Sequence, residues 1–210
     1  TSGSNPYGAV NDRVYRDITN WYHFVWAVDA ENTVQRIWIN GVEETLSSSR
    51  NPPNYAYGMN KAGTSQGFGV STWGGAPSLD GYLANIVHLD GQYLDETYFG
   101  ETKNGVWIPK AISGLTFGTN GFHLDFSDSS SVGNDISGNN NDYTPTSLLS
   151  TDVVIDTPTN NFCTLNPLNA NDHRGEGSFS RANLRMTSGS TSRGFTSGTM
   201  KIHGKVYFEV

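Results

Sequence analysis

The segment WYHFVWAVDAENTVQRIWINGVE, residues 21–43, carries the clearest fold signal in this chain. Aromatic and β-branched residues, which favour strands, dominate its first part, residues 21–28. A second strand pattern follows the short turn at residues 30–32 and reaches Asn40-Gly41, a dipeptide that is the strongest short hairpin signal. We therefore predict an antiparallel pair of strands in this segment.

Further strand patterns occur along the chain, at residues 67–73, 80–89, 121–126, 182–186 and 205–210. Residues 94–99 are compatible with one turn of helix, and residues 104–110 (NGVWIPK) are predicted as a loop. No segment shows the 3.6-residue apolar period of an amphipathic helix. The predicted fold class is therefore all-β, with antiparallel strands packed as a β-sandwich.

Composition narrows the function classes. The 210 residues suffice for one large β domain, or for one domain and part of another. A net charge of −7 argues against a nucleic-acid partner, because phosphate binding needs clustered Lys and Arg. No stretch approaches the roughly 20 apolar residues of a membrane-spanning helix, so we expect no membrane insertion. Cys163 is the only cysteine, which excludes an internal disulfide, and its apolar neighbours predict a packing residue.

Catalytic patterns are missing from the sequence. Histidines and cysteine lack zinc-site spacing, and no Gly-x-Ser-x-Gly motif occurs. Glycoside hydrolysis needs two carboxyl groups across the cleaved bond, which a Glu-x-Asp pair on a strand would supply. The nearest candidates are Asp90 with Asp95 and Asp125 with Asp128, and Asp90 precedes Gly91 as a turn former does. We therefore predict that this chain is not an enzyme.

A polar loop at residues 125–142 offers a candidate metal site. Its side-chain oxygens are of the hard type that Ca²⁺ prefers, and they belong to Asp128, Asp135, Asn139 and Asp142. Their spacing differs from that of an EF-hand loop. Asp and Asn side chains also satisfy their own backbone in turns without a metal, so Ca²⁺ binding and purely structural turns are both open.

Three aromatic residues are candidates for carbohydrate binding, because sugars stack on exposed aromatic rings. Tyr55 and Tyr57 lie in the loop segment NPPNYAYGMN, and Trp73 precedes Gly74-Gly75. The structural alternative assigns Trp73 to the core and the two tyrosines to loop packing.

A family resemblance rests on SLDGYLANIVHLDGQYLDETYFGETKNGVWIPK (residues 78–110), together with WYHFVWAVDA, IWINGVE, GTNGFHLDFSD, DISGNNND and VIDTPTNNFCTLNPL. In order and spacing, residues 21–168 resemble a module of bacteriophage structural proteins that has a concanavalin-A-like, laminin-G-like jelly roll. The later segments ANLRMTSGS and GKVYFEV resemble the opening strands of a SPRY-type β-sandwich.

The resemblance implies three regions. Residues 1–142 would form the laminin-G-like jelly roll, whose N-terminal strands we expect to lie outside this sequence. Residues 143–180 would be a connector, and residues 181–210 the beginning of the SPRY-like domain. Laminin-G-like folds often hold Ca²⁺ at a sandwich rim, which adds to the case for the calcium site.

The function implied by the resemblance is that of a non-enzymatic virion protein, located in a fibre, the tail or the capsid surface. Its lectin-like domain would bind host-surface glycans during host attachment. Expected partners are other virion subunits, including further copies of the same chain. Two alternatives are a purely architectural assembly or decoration module, and part of a glycan depolymerase whose active site lies outside this sequence.

Overall fold

A computed structural model describes most of the chain up to residue 159 and shorter segments beyond it. The described residues are 8–11, 13–17, 20–50, 66–69, 79, 81–159, 163–166, 171–172, 178–180, 184–187, 194–195 and 197–199. The chain divides into two compact units, Thr1–Thr146 and Ser147–Val210. The three-region scheme of jelly roll, connector and SPRY-like domain stays a prediction.

The first unit consists of short strands: β1 (Gly8–Asn11), β2 (Phe24–Asp29), β3 (Val34–Ile39), β4 (Val42–Glu43), β5 (Leu46–Arg50), β6 (Ile86–His88), β7 (Gly100–Lys103), β8 (Val106–Pro109) and β9 (Phe122–Leu124). The second unit contains β10 (Asn171–Asp172), β11 (Ser178–Ser180), β12 (Arg185–Thr187) and β13 (Gly194–Phe195). Single 3-10 turns occur at Glu96–Tyr98 and Ser150–Asp152, and the described residues include no α-helix. Every described strand pair is antiparallel, which confirms the all-β prediction.

Strands β2, β3 and β4 form the largest described sheet, and they confirm the predicted strand pair. Phe24 pairs with Ile39, and the register continues to the pair of Asp29 with Val34. The Asp29 carboxylate closes the first turn, because it accepts hydrogen bonds from the backbone and side-chain N–H groups of Asn32 at 3.0 and 2.7 Å. The sheet is thus held by two tight turns, of which the Asn-Gly turn joins β3 to β4.

The main apolar cluster of this sheet lies on one face. Val25, Ala27 and Trp38 are buried together, and Phe99 packs against them. Val25 and Trp38 are direct cross-strand partners, so the two-residue period of the strands brings them to the same side. Complete burial of a side chain such as that of Val25 stabilises the fold by roughly 1.5–3 kcal/mol.

Strands β7 and β8 form a hairpin where the sequence predicts a loop at residues 104–110, so that prediction is wrong. Asn104 and Gly105 have φ angles of 53° and 79°, the left-handed pair that a tight hairpin turn needs. Asn-Gly therefore has the same role here as at residues 40–41, where the φ angles are 51° and 74°. The predicted helical turn before this hairpin is confirmed as the 3-10 turn at Glu96–Tyr98.

Strands β6 and β9 pair with each other and are shorter than the predicted segments 80–89 and 121–126. The left-handed backbone of Asn85, with φ at 52°, precedes β6, and that of Phe126, with φ at 57°, follows β9. Because residues in that conformation leave the extended backbone, the ladder is short. Phe122 is completely buried, and its ring meets the rings of Phe68, His88 and Tyr143 at centroid distances of 5.8, 5.4 and 5.1 Å.

Other predicted strands are partly outside the described residues. Residues 67–69 are not in a strand, and residues 70–73 and 205–210 lie outside the described part of the chain. The prediction at residues 182–186 overlaps β12.

In the second unit β10 pairs with β13, and Leu165 forms an isolated bridge with Gly198. Cys163 is exposed, so the packing role that we predict for it is wrong.

Candidate functional site

Two loops meet beside strand β9 and form the best-defined polar site of the described residues. The Gly-rich loop (residues 114–121) precedes β9, and the Asn-rich loop (residues 133–143) follows it. Gly118 has φ at 71°, and a Cβ atom there would overlap the carbonyl oxygen of Asp90. A Cβ atom at Gly121 would likewise overlap the carbonyl oxygen of Phe117. Glycine is thus required at both positions of the first loop.

The Gly-rich loop is anchored to the turn that follows β6. The N–H group of Asp90 donates to the carbonyl oxygen of Phe117 at 2.8 Å. The Asp90 carboxylate accepts bonds from the backbone and side-chain N–H groups of Asn120 at 3.1 and 2.8 Å. Gln92 adds a side-chain bond to the carbonyl oxygen of Thr116 at 2.5 Å. Asp90 therefore lies in the predicted turn before Gly91, and the Gly-rich loop engages its carboxylate.

The Asp135 carboxylate organises the Asn-rich loop. Its Oδ1 atom accepts bonds from the backbone N–H groups of His123 and Ser137 at 2.8 and 2.9 Å. Its Oδ2 atom accepts bonds from the Ser137 hydroxyl at 2.8 Å and from the Asn141 N–H group at 2.9 Å. Asp135 itself is 6% exposed. A carboxylate has about four acceptor positions, so these four donors use its hydrogen-bonding capacity.

Opposing effects act on the pKa of Asp135. Burial raises the pKa, while the hydrogen bonds from the backbone of His123, Ser137 and Asn141 and from the Ser137 hydroxyl lower it. The net pKa lies below the usual value of an aspartate, because the donors stabilise the charged form more than burial disfavours it.

Two asparagines of the Asn-rich loop attach it to the Gly-rich loop. The Nδ2 group of Asn139 donates to the carbonyl oxygens of Gly118 and Gly121 at 2.6 and 2.9 Å. The Nδ2 group of Asn141 donates to the carbonyl oxygens of Thr119 and Gly121 at 3.1 and 2.9 Å. Four hydrogen bonds of this kind join segments about twenty residues apart, so they fix the separation of the two loops.

The predicted calcium ligands have separate structural partners. Asp142 accepts the N–H group of Asp135 at 2.8 Å, and Asp128 accepts the backbone and hydroxyl donors of Ser130 at 2.8 and 2.6 Å. Across the described part of the chain, no group of three or more His, Cys, Asp or Glu side chains is arranged to hold a metal ion. Asp135 and Asn139 belong to the hydrogen-bonded loop described above. Ca²⁺ binding stays a prediction.

A shallow groove of about 630 Å³ lies between the two loops. Its walls are residues 115–119 on one side and Ser137 and Asn139 on the other. The Phe117 ring stacks on the His123 ring, with a centroid distance of 6.2 Å and an interplanar angle of 14°. The His123 ring in turn lies with its Nε2 atom 3.1 Å from the Asn85 side-chain oxygen. The groove thus combines one supported aromatic ring with hydroxyl and amide groups.

The three aromatic residues predicted to bind sugar, Tyr55, Tyr57 and Trp73, lie outside the described residues, and their role stays a prediction. The sequence patterns above did not mark Phe117, which lines the groove. The signal that marks it is a single aromatic residue within the glycine-rich segment GLTFGTNG, residues 114–121.

Comparison with known proteins adds no assignment. No protein-family model, curated protein or solved structure matches this chain. Among the described residues, no helix has the length and apolar character needed to cross a bilayer. The fold and site therefore define the chain as an antiparallel all-β protein with an uncharged polar groove beside β9.

Proposed function

We propose that the chain is a non-enzymatic component of a bacteriophage virion whose jelly-roll domain binds host-surface glycans. The sequence segments that resemble phage fibre, tail and capsid-surface modules support the virion location. The antiparallel pairing of all described strands is compatible with a jelly roll. The observation that carries the binding role is the groove beside β9.

The composition of the groove suits a sugar better than it suits a charged metabolite. Phe117 offers an apolar ring surface, Thr116 and Thr119 bring hydroxyl groups and Asn139 an amide, while the Ser137 hydroxyl already donates to Asp135. None of the lining side chains carries a charge. Its volume of about 630 Å³ lies within the usual range of small-ligand sites, roughly 300–1,000 Å³. The open form of the groove leaves room for a larger glycan to extend beyond it.

A glycan-binding assay with the full chain tests the proposal. We expect the chain to be retained on at least one bacterial surface polysaccharide and to release no reducing sugar from it. Loss of retention in Tyr55→Ala or Trp73→Ala would assign the binding site to those residues. Failure to bind any polysaccharide in a broad panel would contradict the lectin-like role, and released reducing sugar would contradict the non-enzymatic one.

A purely architectural role is the second candidate, and one observation favours it. Phe24 on β2 and Val42 on β4 flank Ile39 on the same face of the sheet, and they are 57% and 55% exposed. That face is opposite to the one formed by Val25, Ala27 and Trp38, and Ile39 on it is only 8% exposed. Exposed apolar side chains on a sheet face are typical of subunit contacts. In this role the domain would attach to other virion subunits or to copies of itself.

A further inference from the structure

We infer that the groove between the Gly-rich and Asn-rich loops takes a neutral sugar unit without a bridging metal ion. Phe117 would supply the stacking surface and the Asn139 side-chain carbonyl the orienting hydrogen-bond acceptor. The inference rests on the proposed glycan-binding function, and it names the site and the ligand class.

The orientation of the Asn139 amide follows from its partners. Both contacts of its Nδ2 atom are to carbonyl oxygens, those of Gly118 and Gly121, and a carbonyl oxygen only accepts. Both hydrogens of the amide are therefore used, and the remaining polar atom is the Oδ1 acceptor. Within the described part of the chain, no donor is bonded to that oxygen. Asn139 thus lines the groove with an acceptor suited to a hydroxyl hydrogen.

Charge in and below the groove favours a neutral ligand. The lining side chains are uncharged. The two carboxylates that hold the walls are engaged by protein donors: Asp135 by four and Asp90 by the two N–H groups of Asn120. A cation would have to displace donors from Asp135, and an anionic sugar would find no Lys or Arg side chain in the groove wall. A neutral sugar needs neither change.

Phe117 fits the apolar face of a sugar ring. The His123 ring stacks on one face of the Phe117 ring. The backbone N–H group of His123 donates to Asp135, and its ring Nε2 atom contacts the Asn85 side-chain oxygen, so His123 is held in place. An aromatic ring that is already fixed loses little conformational freedom on binding, which favours affinity.

The chain offers a matched pair of variants for the test. Asn139→Ala and Asn141→Ala each remove two side-chain bonds to backbone carbonyls, and both lose the bond to Gly121. Only Asn139 lines the groove. A comparable loss of stability is therefore expected from the two, whereas a loss of sugar binding is expected from Asn139→Ala alone. Tyr98→Ala, which removes an exposed aromatic residue of the 3-10 turn, is the control for Phe117→Ala.

The experiment measures binding of the full chain to cellohexaose, maltohexaose and chitohexaose, and to oligo-alginate and sialyllactose as acidic probes. Each measurement is made with and without EDTA, at a temperature where every variant is folded by circular dichroism. We expect binding of at least one neutral probe, unchanged by EDTA. Asn139→Ala and Phe117→Ala should each weaken it by about tenfold or more, the equivalent of one lost hydrogen bond or ring contact.

The outcomes separate the two proposals. Neutral-sugar binding that survives both Asn139→Ala and Phe117→Ala would overturn this inference while leaving the lectin-like function in place. Binding of acidic probes only would overturn the ligand class. Complete loss of binding with EDTA would overturn the metal-free mode. Absence of binding to every probe and to the polysaccharide panel would overturn the proposed function and the inference together. Equal loss in Asn139→Ala and Asn141→Ala would reduce Asn139 to a structural role and overturn its assignment as a binding residue.

Discussion

At the residue scale, Asp135 shows how one buried carboxylate can organise a loop through hydrogen bonds. Its backbone donors are His123 on β9 and Ser137 and Asn141 in the Asn-rich loop. Hydrogen bonds to a charged acceptor stabilise by roughly 1.5–3 kcal/mol each, before the cost of burying the charge is subtracted. The loop is therefore expected to depend on Asp135 more than on any other of its acidic residues.

We predict that Asp135→Asn destabilises the fold by about 2–4 kcal/mol, because the amide NH₂ would face donors and leave buried N–H groups unpaired. Denaturant unfolding measures the difference. Asp128→Asn is the control, since the Asp128 side chain accepts two bonds, whereas that of Asp135 accepts four, and it lies in an exposed loop position. Equal stability of Asp135→Asn and the wild type would show that the carboxylate does not organise the loop.

The stability difference between wild type and Asp135→Asn should depend on pH, because the pKa of Asp135 is lowered in the folded protein. A carboxyl group whose pKa is lower in the folded state than in the unfolded chain stabilises the fold above the unfolded pKa. That contribution is lost as the pH falls through the folded value. The stability difference between wild type and Asp135→Asn should therefore shrink in acid, below about pH 4.

At the element scale, two Asn-Gly turns have the same backbone chemistry but different surroundings. Gly41 and Gly105 both have positive φ angles, 74° and 79°. The ring of Trp107 lies directly against Gly41, where a Cβ atom would overlap it, while nothing lies within 4 Å of the corresponding position at Gly105. The Trp107 indole N–H group also donates to the His23 Nδ1 atom at 2.9 Å. Gly41 is thus required for hairpin packing as well as for its turn.

Substitutions at Gly41 and Gly105 separate the cost of local backbone strain from the cost of disturbed tertiary packing. Gly105→Ala should cost about 1 kcal/mol, because an L-residue is strained in the left-handed region. Gly41→Ala should cost about 2 kcal/mol more, because Trp107 must also move and its bond to His23 is weakened. Urea unfolding followed by tryptophan fluorescence measures both values. Equal costs would mean that the β7–β8 hairpin does not pack on the Asn40-Gly41 turn in solution.

At the scale of the whole molecule, the described sheets are small, with two or three strands each. Sheets of this size bury little surface by themselves, so their apolar faces have to be covered by other parts of the chain or by other subunits. The exposed side chains of Phe24 and Val42 are the place where subunit contacts can be examined.

If the architectural role is correct for copies of this chain, Phe24→Asp and Val42→Asp should each lower the oligomer mass measured by light scattering. A charge introduced into an apolar contact would be buried without a partner in the assembly. Val106→Asp is the control, because Val106 is 62% exposed on β8, outside that sheet. A chain that is monomeric before substitution, or an oligomer that all three variants leave intact, would exclude contact through this face.

The sequence by itself determined the features that depend on neighbouring residues. Strand-forming residues at 21–43 and the Asn-Gly turn predicted an antiparallel hairpin, because period-two packing and positive φ angles are local requirements. The same Asn-Gly signal occurs at residues 104–105, where the structure has a hairpin and not the loop predicted for residues 104–110. Acidic and amide residues at 125–142 mark the loop beside β9 in the sequence, without showing what those side chains contact.

Only the tertiary structure decided the partners of those side chains. Asp135 accepts a hydrogen bond from the backbone of His123 on β9. Asn139 donates to Gly118, 21 residues away, and Trp107 donates to His23, 84 residues away. Such contacts arise when strands pair and bring distant backbone groups within hydrogen-bond distance, which no local propensity encodes. The sequence thus determined the class of fold and the turns, while only the tertiary structure showed that Asn139, of the four candidate metal ligands, lines the groove beside β9.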